Sequence, residues 1–267
     1  MIDVPPRRRF HSMLTSVSSR AHKAFHETTI LIARLHVHFG KPPPTPFRRE
    51  LLLTLTTLQT GILDAATFIG FGIFVANMTG NVVLLGAHIA NLYQHDVTPN
   101  IIALIAFFVG GSLTGLYERE THQPDEAGYS RYFFALLTLI HCVLYFIAGS
   151  LIFTNTIPAD TTSSTRLIIF ALLALGQGSQ VVVSKRAGFP EFTTAVVTST
   201  LADLSANASL SKTWCKGVRG QLRRIASVLA LFLGSIVGGE TFKYQGFGVA
   251  LFVAGGISCV TVLGWSL

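Results

Sequence analysis

Apolar runs of about twenty residues, separated by short polar gaps, recur from Leu51 to the last residue. Eight stretches can be read: 51–71, 73–92, 100–117, 131–153, 165–183, 190–208, 222–241 and 246–267. Each approaches the ~20 apolar residues an α-helix needs to cross a ~30 Å hydrocarbon core. The pattern predicts an all-α polytopic membrane protein, a helical bundle. Two stretches are weak. The second contains Asn77, Thr79, Gly80 and Asn81, and the sixth, EFTTAVVTSTLADLSANA, contains six Ser or Thr plus Asp203.

Loop charge bears on how many stretches cross. The loops near 91–99 and 154–165 hold no Lys or Arg, whereas 118–131 holds Arg119 and Arg131. The loop 205–224 holds Lys212, Lys216, Arg219, Arg223 and Arg224. Eight full crossings would leave Arg119, Arg131, Lys185, Arg186 and Lys243 outside, against the positive-inside rule. If 51–92 and 165–208 each make one net crossing, the basic loops share one side, and six crossings are favoured. The cost is geometric: 42 residues, about 63 Å as helix, must fit one crossing. That requires a broken or re-entrant segment, tolerated at depth only when buried in protein or lining a cavity.

Composition supports the membrane class. The chain is 50% hydrophobic and 12% charged, where soluble domains carry about 25% charged residues. Charge is uneven: nine of the 20 Lys and Arg lie in residues 1–50, against Asp3, Glu27 and Glu50. This predicts a cytoplasmic N-terminal tail, 1–50, largely disordered or partly an interfacial helix, ahead of a membrane domain, 51–267. The tail could touch anionic lipid. No recognition module accompanies its charge, so nucleic acid is not expected as a partner. No cleavable secretory signal is read. An Arg-rich, acid-poor tail also suits a mitochondrial presequence, with a plasma or other internal membrane the main expectation.

Two motifs recur. FFVGGSLTG, Phe107–Gly115, resembles LFLGSIVGG, Leu231–Gly239. GILDAATFIGFGIFVANMTGN, Gly61–Asn81, aligns with GSQVVVSKRAGFPEFTTAVVTST, Gly178–Thr200, given a two-residue insertion. Gly61 meets Gly178, Asp64 meets Val181, and MTGN meets VTST. The membrane domain is thus expected to be duplicated, with halves 51–153 and 165–267. Three net crossings per half would make them inverted, as in many transporters.

The same residues resemble a known family. GILDAATFIGFGIFVANMTGN with the following LLG, and Leu173–Leu204, resemble the two signatures of the YoaK-like, DUF1275 membrane proteins. That family's second signature reads Gly-x-Gln-Asn, then Arg, then Thr-Gly-Thr. Gln180 and Arg186 fit it; Val181 and Ser199 depart. The resemblance spans about 50–267, and the basic tail suits a fungal-type member. It implies a multi-span membrane protein of unknown biochemical function.

Asp64 is the sharpest candidate. A carboxylate within a span costs about 2.5–3.5 kcal/mol and normally faces the bundle interior. It could bind a cation, relay a proton or hold an amine; alternatively it pairs with Lys185 or Arg186, or caps a broken helix. Asn77, Thr79, Gly80 and Asn81 are expected either to line a solute path or to bond between helices. So are Gln177, Gln180, Thr198, Ser199, Thr200 and Asp203 in the second half. Lys185 and Arg186 could attract an anion. Gly110, Gly111, Gly115, Gly234, Gly238 and Gly239 suit close helix packing. His88 and His141 read as hydrogen-bonded core histidines.

The widely spaced Cys142, Cys215 and Cys259 indicate neither zinc nor a disulfide framework. No HExxH, GxSxG or P-loop appears, so neither an enzyme nor a cofactor or metal is expected. The leading expectation is a secondary transporter or permease of an unidentified small solute, working around a midplane polar site. The rival is a membrane scaffold or assembly factor that uses its basic tail.

Overall fold

The apolar runs form helices because their backbone polar groups can be satisfied within one segment, as lipid requires. The structure, a computed structural model, describes residues 44–93, 96–121, 131–156, 165–189, 192, 197–208 and 214–267. The expectation for the basic tail falls almost wholly outside these residues. The helices are α1 (Pro46–Phe71), α2 (Met78–Ile89), α3 (Thr98–Thr121), α4 (Arg131–Phe153), α5 (Arg166–Arg186), α6 (Val197–Ala208), α7 (Trp214–Gln245) and α8 (Phe247–Ser266). Among the described residues no strand occurs.

Six of these, α1, α3, α4, α5, α7 and α8, are long and apolar enough to cross a membrane. The two weak stretches shorten to α2 and α6, each of 12 residues. That is about 18 Å of helix, too little to span a ~30 Å core. The helix boundaries correct two expected ones. Helix α1 begins five residues early because Pro46 sits at its first turn, where its missing N–H costs nothing. Helix α7 begins at Trp214 and carries Lys216, Arg219, Arg223 and Arg224 of that loop on its first three turns.

Burial is inverted relative to a soluble bundle. Phe108, Leu113, Leu116, Leu139, Val143, Leu233, Val260 and Leu263 face outward, while Gln59, Thr60, Asn81, Gln177 and Thr261 are fully buried. Water would reject that surface, and lipid accepts it. An apolar cluster including Ile62, Leu63, Ala66, Tyr145, Phe170, Leu173, Leu251 and Ala254 joins α1, α4, α5 and α8.

Contacts sort the helix ends onto two faces. On one, Phe71 at the end of α1 packs edge-on to Phe170 of α5 and Phe247 of α8, and Phe242 of α7 meets Phe247. On the other, Arg219 and Arg223 of α7 reach Glu50 of α1, each at 3.2 Å. There too Arg186 of α5 pairs with Glu118 of α3 at 2.9 Å, and Arg131 of α4 donates to the Leu267 carbonyl of α8 at 2.6 Å. Arg48, Arg49, Arg119, Lys185 and Arg224 join this second face by their places at helix ends. Among the described residues the first face holds only Arg166 and Lys243 as Lys or Arg.

Two helix crossings share one geometry. A Cβ placed on Gly110 of α3 would overlap the Leu175 carbonyl of α5, and one on Gly178 would overlap the Phe107 carbonyl. Where α1 crosses α7, Gly234 stands likewise against the Leu58 carbonyl and Gly61 against the Leu231 carbonyl. Gly238 presses on Ile62 and Gly239 lies 3.3 Å from the Ile69 side chain, while Gly111 makes ordinary contact with the Gly178 carbonyl. These five of the six expected packing glycines meet a neighbouring helix. Gly115 does not: a Cβ there meets nothing within 4 Å, while its neighbours Thr114 and Glu118 are the residues of that stretch that touch α5.

Candidate functional site

Polar side chains alone mid-helix must find partners across the bundle, and here they form a chain. Ser258 donates to Gln59 Oε1 at 2.7 Å, and Gln177 donates its Nε2 proton to the Tyr145 hydroxyl at 2.9 Å. The Gln59 side chain also bonds to Tyr145. The Thr60 hydroxyl donates to Gln177 Oε1 at 3.1 Å. The chain ties α1, α4, α5 and α8 together, and all five members are fully buried. Only Gln177 was legible as a candidate. Gln59 and Thr60 end the Thr-rich run Thr54–Thr60, and Tyr145 and Ser258 stand among apolar residues; nothing local marks the face they share. Beside the chain, the sulfurs of Cys142 and Cys259 lie 3.2 Å apart, a proximity the sequence did not suggest.

The second polar group is built by the segment after α1. Gly72 closes α1 in the left-handed conformation (φ 68°), its N–H bonded to the Phe68 carbonyl at 2.9 Å. The chain then doubles back along α1. Asp64 Oδ1 accepts the Val75 and Ala76 amides at 2.9 and 2.8 Å, and Oδ2 accepts the Asn77 amide at 3.1 Å. Asp64 lies seven residues before the end of α1, so these amides sit about 10 Å below it. Asn77 then caps α2, its Oδ1 accepting the Gly80 amide at 3.2 Å. Asn81 holds the descending strand in register: Oδ1 accepts the Phe74 amide at 2.9 Å, and Nδ2 donates to the Phe74 carbonyl at 2.6 Å. Asn100 of α3 donates to Asn81 Oδ1 at 3.1 Å and to the Gly72 carbonyl at 3.4 Å. Gly80 admits the Phe74 ring, which stacks on Phe68 at 4.5 Å. Thr79 is exposed.

Asp64 therefore does what a cap on a broken helix does. The alternative pairing with Lys185 or Arg186 is not found. Those two residues lie at the far end of α5, where Arg186 engages Glu118 and Lys185 is exposed. Gln180 donates to Ser184 at 3.3 Å and leaves Oε1 buried without a partner. On α6, Thr200 is buried and Thr198 exposed; the side chains of Ser199 and Asp203 fall outside the described residues. The sequence candidates thus form separate groups instead of one lining. His88 follows expectation, with Nδ1 2.8 Å from the Tyr93 carbonyl. Outside the helices Asp96 accepts the Thr98 amide at 2.9 Å, and its bonds to the Thr98 side chain and backbone hold its carboxyl below the usual range.

Two cavities lie beside these groups. A groove of about 390 Å³ runs along α4, lined by Val143, Phe146, Ile147, Ser150, Leu151 and Thr154. A second, of about 290 Å³, lies between α3, α4 and α5 and includes Thr114, His141 and Ser179 in its wall. Neither is lined by Asp64, Asn81 or Thr200, because the polar atoms of Asp64 and Asn81 are turned onto nearby backbone. Among the described residues no cluster of metal-ligating side chains occurs.

An outward apolar belt, six crossing helices and a polar interior define an integral, polytopic α-helical membrane protein. The chain belongs to the DUF1275 family, described as a protein family of unknown function, whose model matches residues 52–263. It is 27% identical over 194 residues to the UPF0700 transmembrane protein YoaK of Bacillus subtilis (strain 168), covering 71% of this chain and 82% of that one. No solved structure matches.

Proposed function

We propose that the protein is a secondary permease for a small solute, built from two copies of one unit, 51–153 and 165–267, inserted in opposite orientations. The observation that carries this is the helix pairing. Helix α1 packs on α7 and α8, α5 packs on α3 and α4, α4 packs on α8, α2 on α3, and α6 on α7. Exchanging α1–α4 for α5–α8 leaves that set of pairs unchanged; α7 also packs on α8, a contact that the counterpart helices α3 and α4 do not match. The glycine crossings correspond in the same way, Gly61 with Gly178 and Gly234 with Gly110. Residues that touch on the presumed axis are counterparts too: Thr60 with Gln177 and Cys142 with Cys259, each pair 117 residues apart. Inverted units with broken helices at matching places are a transporter design.

In this proposal the basic face is cytoplasmic. The α1–α7 and α5–α3 pairs rock as two bodies about the buried chain from Ser258 to Thr60, which closes the centre in this conformation. Asp64 acts as a positioning residue for the start of α2, and proton coupling through it is not part of the proposal. The rival scaffold has no moving centre, and accessibility separates the two. In a protein with Cys142, Cys215 and Cys259 changed to Ser, single cysteines at Thr60 and Ser258 are exposed to a membrane-impermeant maleimide in vesicles. Rocking predicts reaction under native conditions from either face, despite near-complete burial. Protection from both faces until the protein is unfolded would defeat the permease proposal.

A further inference from the structure

His141 lies on α4 at 2% exposure, its Nε2 buried without a hydrogen-bond partner. A buried polar atom left unpaired costs about 1–3 kcal/mol, and among the described residues none pairs with this one. The halves show why the partner is missing. The residue 117 positions after His141 is Ser258, which donates to Gln59 at 2.7 Å. The residue 117 positions after Gln59 is Gly176, which has no side chain to answer His141.

The space beside His141 is shaped for a ligand. The 290 Å³ cavity is walled mainly by Leu113, Leu136, Leu137, Ile140 and Leu175, with Tyr117 at one end. Its polar part is small: His141, and the Thr114 hydroxyl set 2.7 Å from the Ser179 hydroxyl. Leu113 and Ile140, 54% and 41% exposed, stand on the lipid-facing sides of α3 and α4, which places the mouth toward the acyl chains. The second half has no such polar floor: Gly238 stands where Thr114 does and Ile62 where Ser179 does, in direct contact.

We propose that this cavity is a binding site for a lipophilic alcohol that enters from the bilayer, its chain along the leucines and its hydroxyl on His141 Nε2, which is closed off from the cavity in this conformation and turns toward it when the alcohol binds. A hydroxyl both donates and accepts, so it satisfies Nε2 in either neutral tautomer of the ring. The volume sits at the small end of ligand pockets, ~300–1,000 Å³. That favours a single medium-length chain over a sterol.

The test uses the full chain in phosphatidylcholine nanodiscs with two photoreactive probes, diazirine-bearing dodecanol and the matching diazirine dodecane. After irradiation, labelled peptides are mapped by mass spectrometry. The alcohol should label 110–117 and 136–141 about fivefold more than the alkane, the scale of one net hydrogen bond. Excess unlabelled dodecanol should compete. His141→Leu should lower alcohol labelling to the alkane level, and His141→Gln should restore part of it. If His141→Leu does not yield monodisperse protein, Leu136→Trp, which fills the mouth, carries the same expectation. Equal labelling by both probes, failure of competition, or labelling unchanged by the variants would overturn the site.

Discussion

Two glycines that look alike in sequence, Gly110 and Gly115, should respond oppositely to one methyl group. A Cβ on Gly110 would overlap the Leu175 carbonyl and lie 2.8 Å from its carbon and 3.0 Å from its Cα. Ordinary contact begins near 3.4 Å, and the obstacle is backbone, so α3 and α5 must separate by roughly 1 Å or more. Overpacking of this kind costs about 1–3 kcal/mol. Separation also stretches the 2.7 Å Thr114–Ser179 bond one turn away, worth about 0.6 kcal/mol between membrane helices. The total, about 2–3 kcal/mol, corresponds to a fall of roughly 4–12 °C in Tm for a domain of this size. Gly115→Ala adds its methyl to open space and should melt within about 1 °C of wild type. Thermal unfolding in one detergent, followed by size-exclusion fluorescence, measures both. If Gly110→Ala melts like wild type, or Gly115→Ala falls as far, the crossing is wrongly described.

Two further outcomes follow from the other groups. Asp64→Asn keeps the shape but offers one acceptor oxygen, setting an N–H donor against the Asn77 amide; it should cost about 1.5–3 kcal/mol. The turn at 72–77 should then become cleavable in limited proteolysis, and an unchanged Tm and cleavage pattern would remove Asp64 from the capping role. In the six-crossing topology, an impermeant maleimide should label a cysteine at Asp96 from outside the cell or vesicle and one at Gly128 from the cytoplasmic side; labelling of both from one side would refute it.

The long helices were legible because twenty apolar residues in a row leave the backbone one solution in lipid. The weakness of the second and sixth stretches was legible as well, in their Asn, Thr and Ser content. What those polar residues do was not. The amides that Asp64 accepts lie 11–13 residues ahead, across a turn that only the folded chain defines. The expected pairing of Asp64 with Lys185 or Arg186 failed for the same reason: position along the chain does not say which end of the bundle a side chain reaches. Five of the six packing glycines did carry through to contact, because a close crossing leaves little room for a side chain. Gln59, Thr60, Tyr145 and Ser258 were not legible as a group, since the side-chain partner of each lies on another helix.

The descent from Gly72 to Asn77 also constrains how the chain can be made. A membrane-inserting machine that released α1 alone would leave the Asp64 charge in lipid, at a cost of about 2.5–3.5 kcal/mol. One that released residues 73–77 alone would leave bare amides there, each costing several kcal/mol. Together the two cancel: the charge meets three amides, and the half-helix α2 returns the chain to the surface it left. Insertion of residues 46 to 89 as one unit avoids both costs, and the three amide bonds to Asp64 are what couple the span to the turn that follows it.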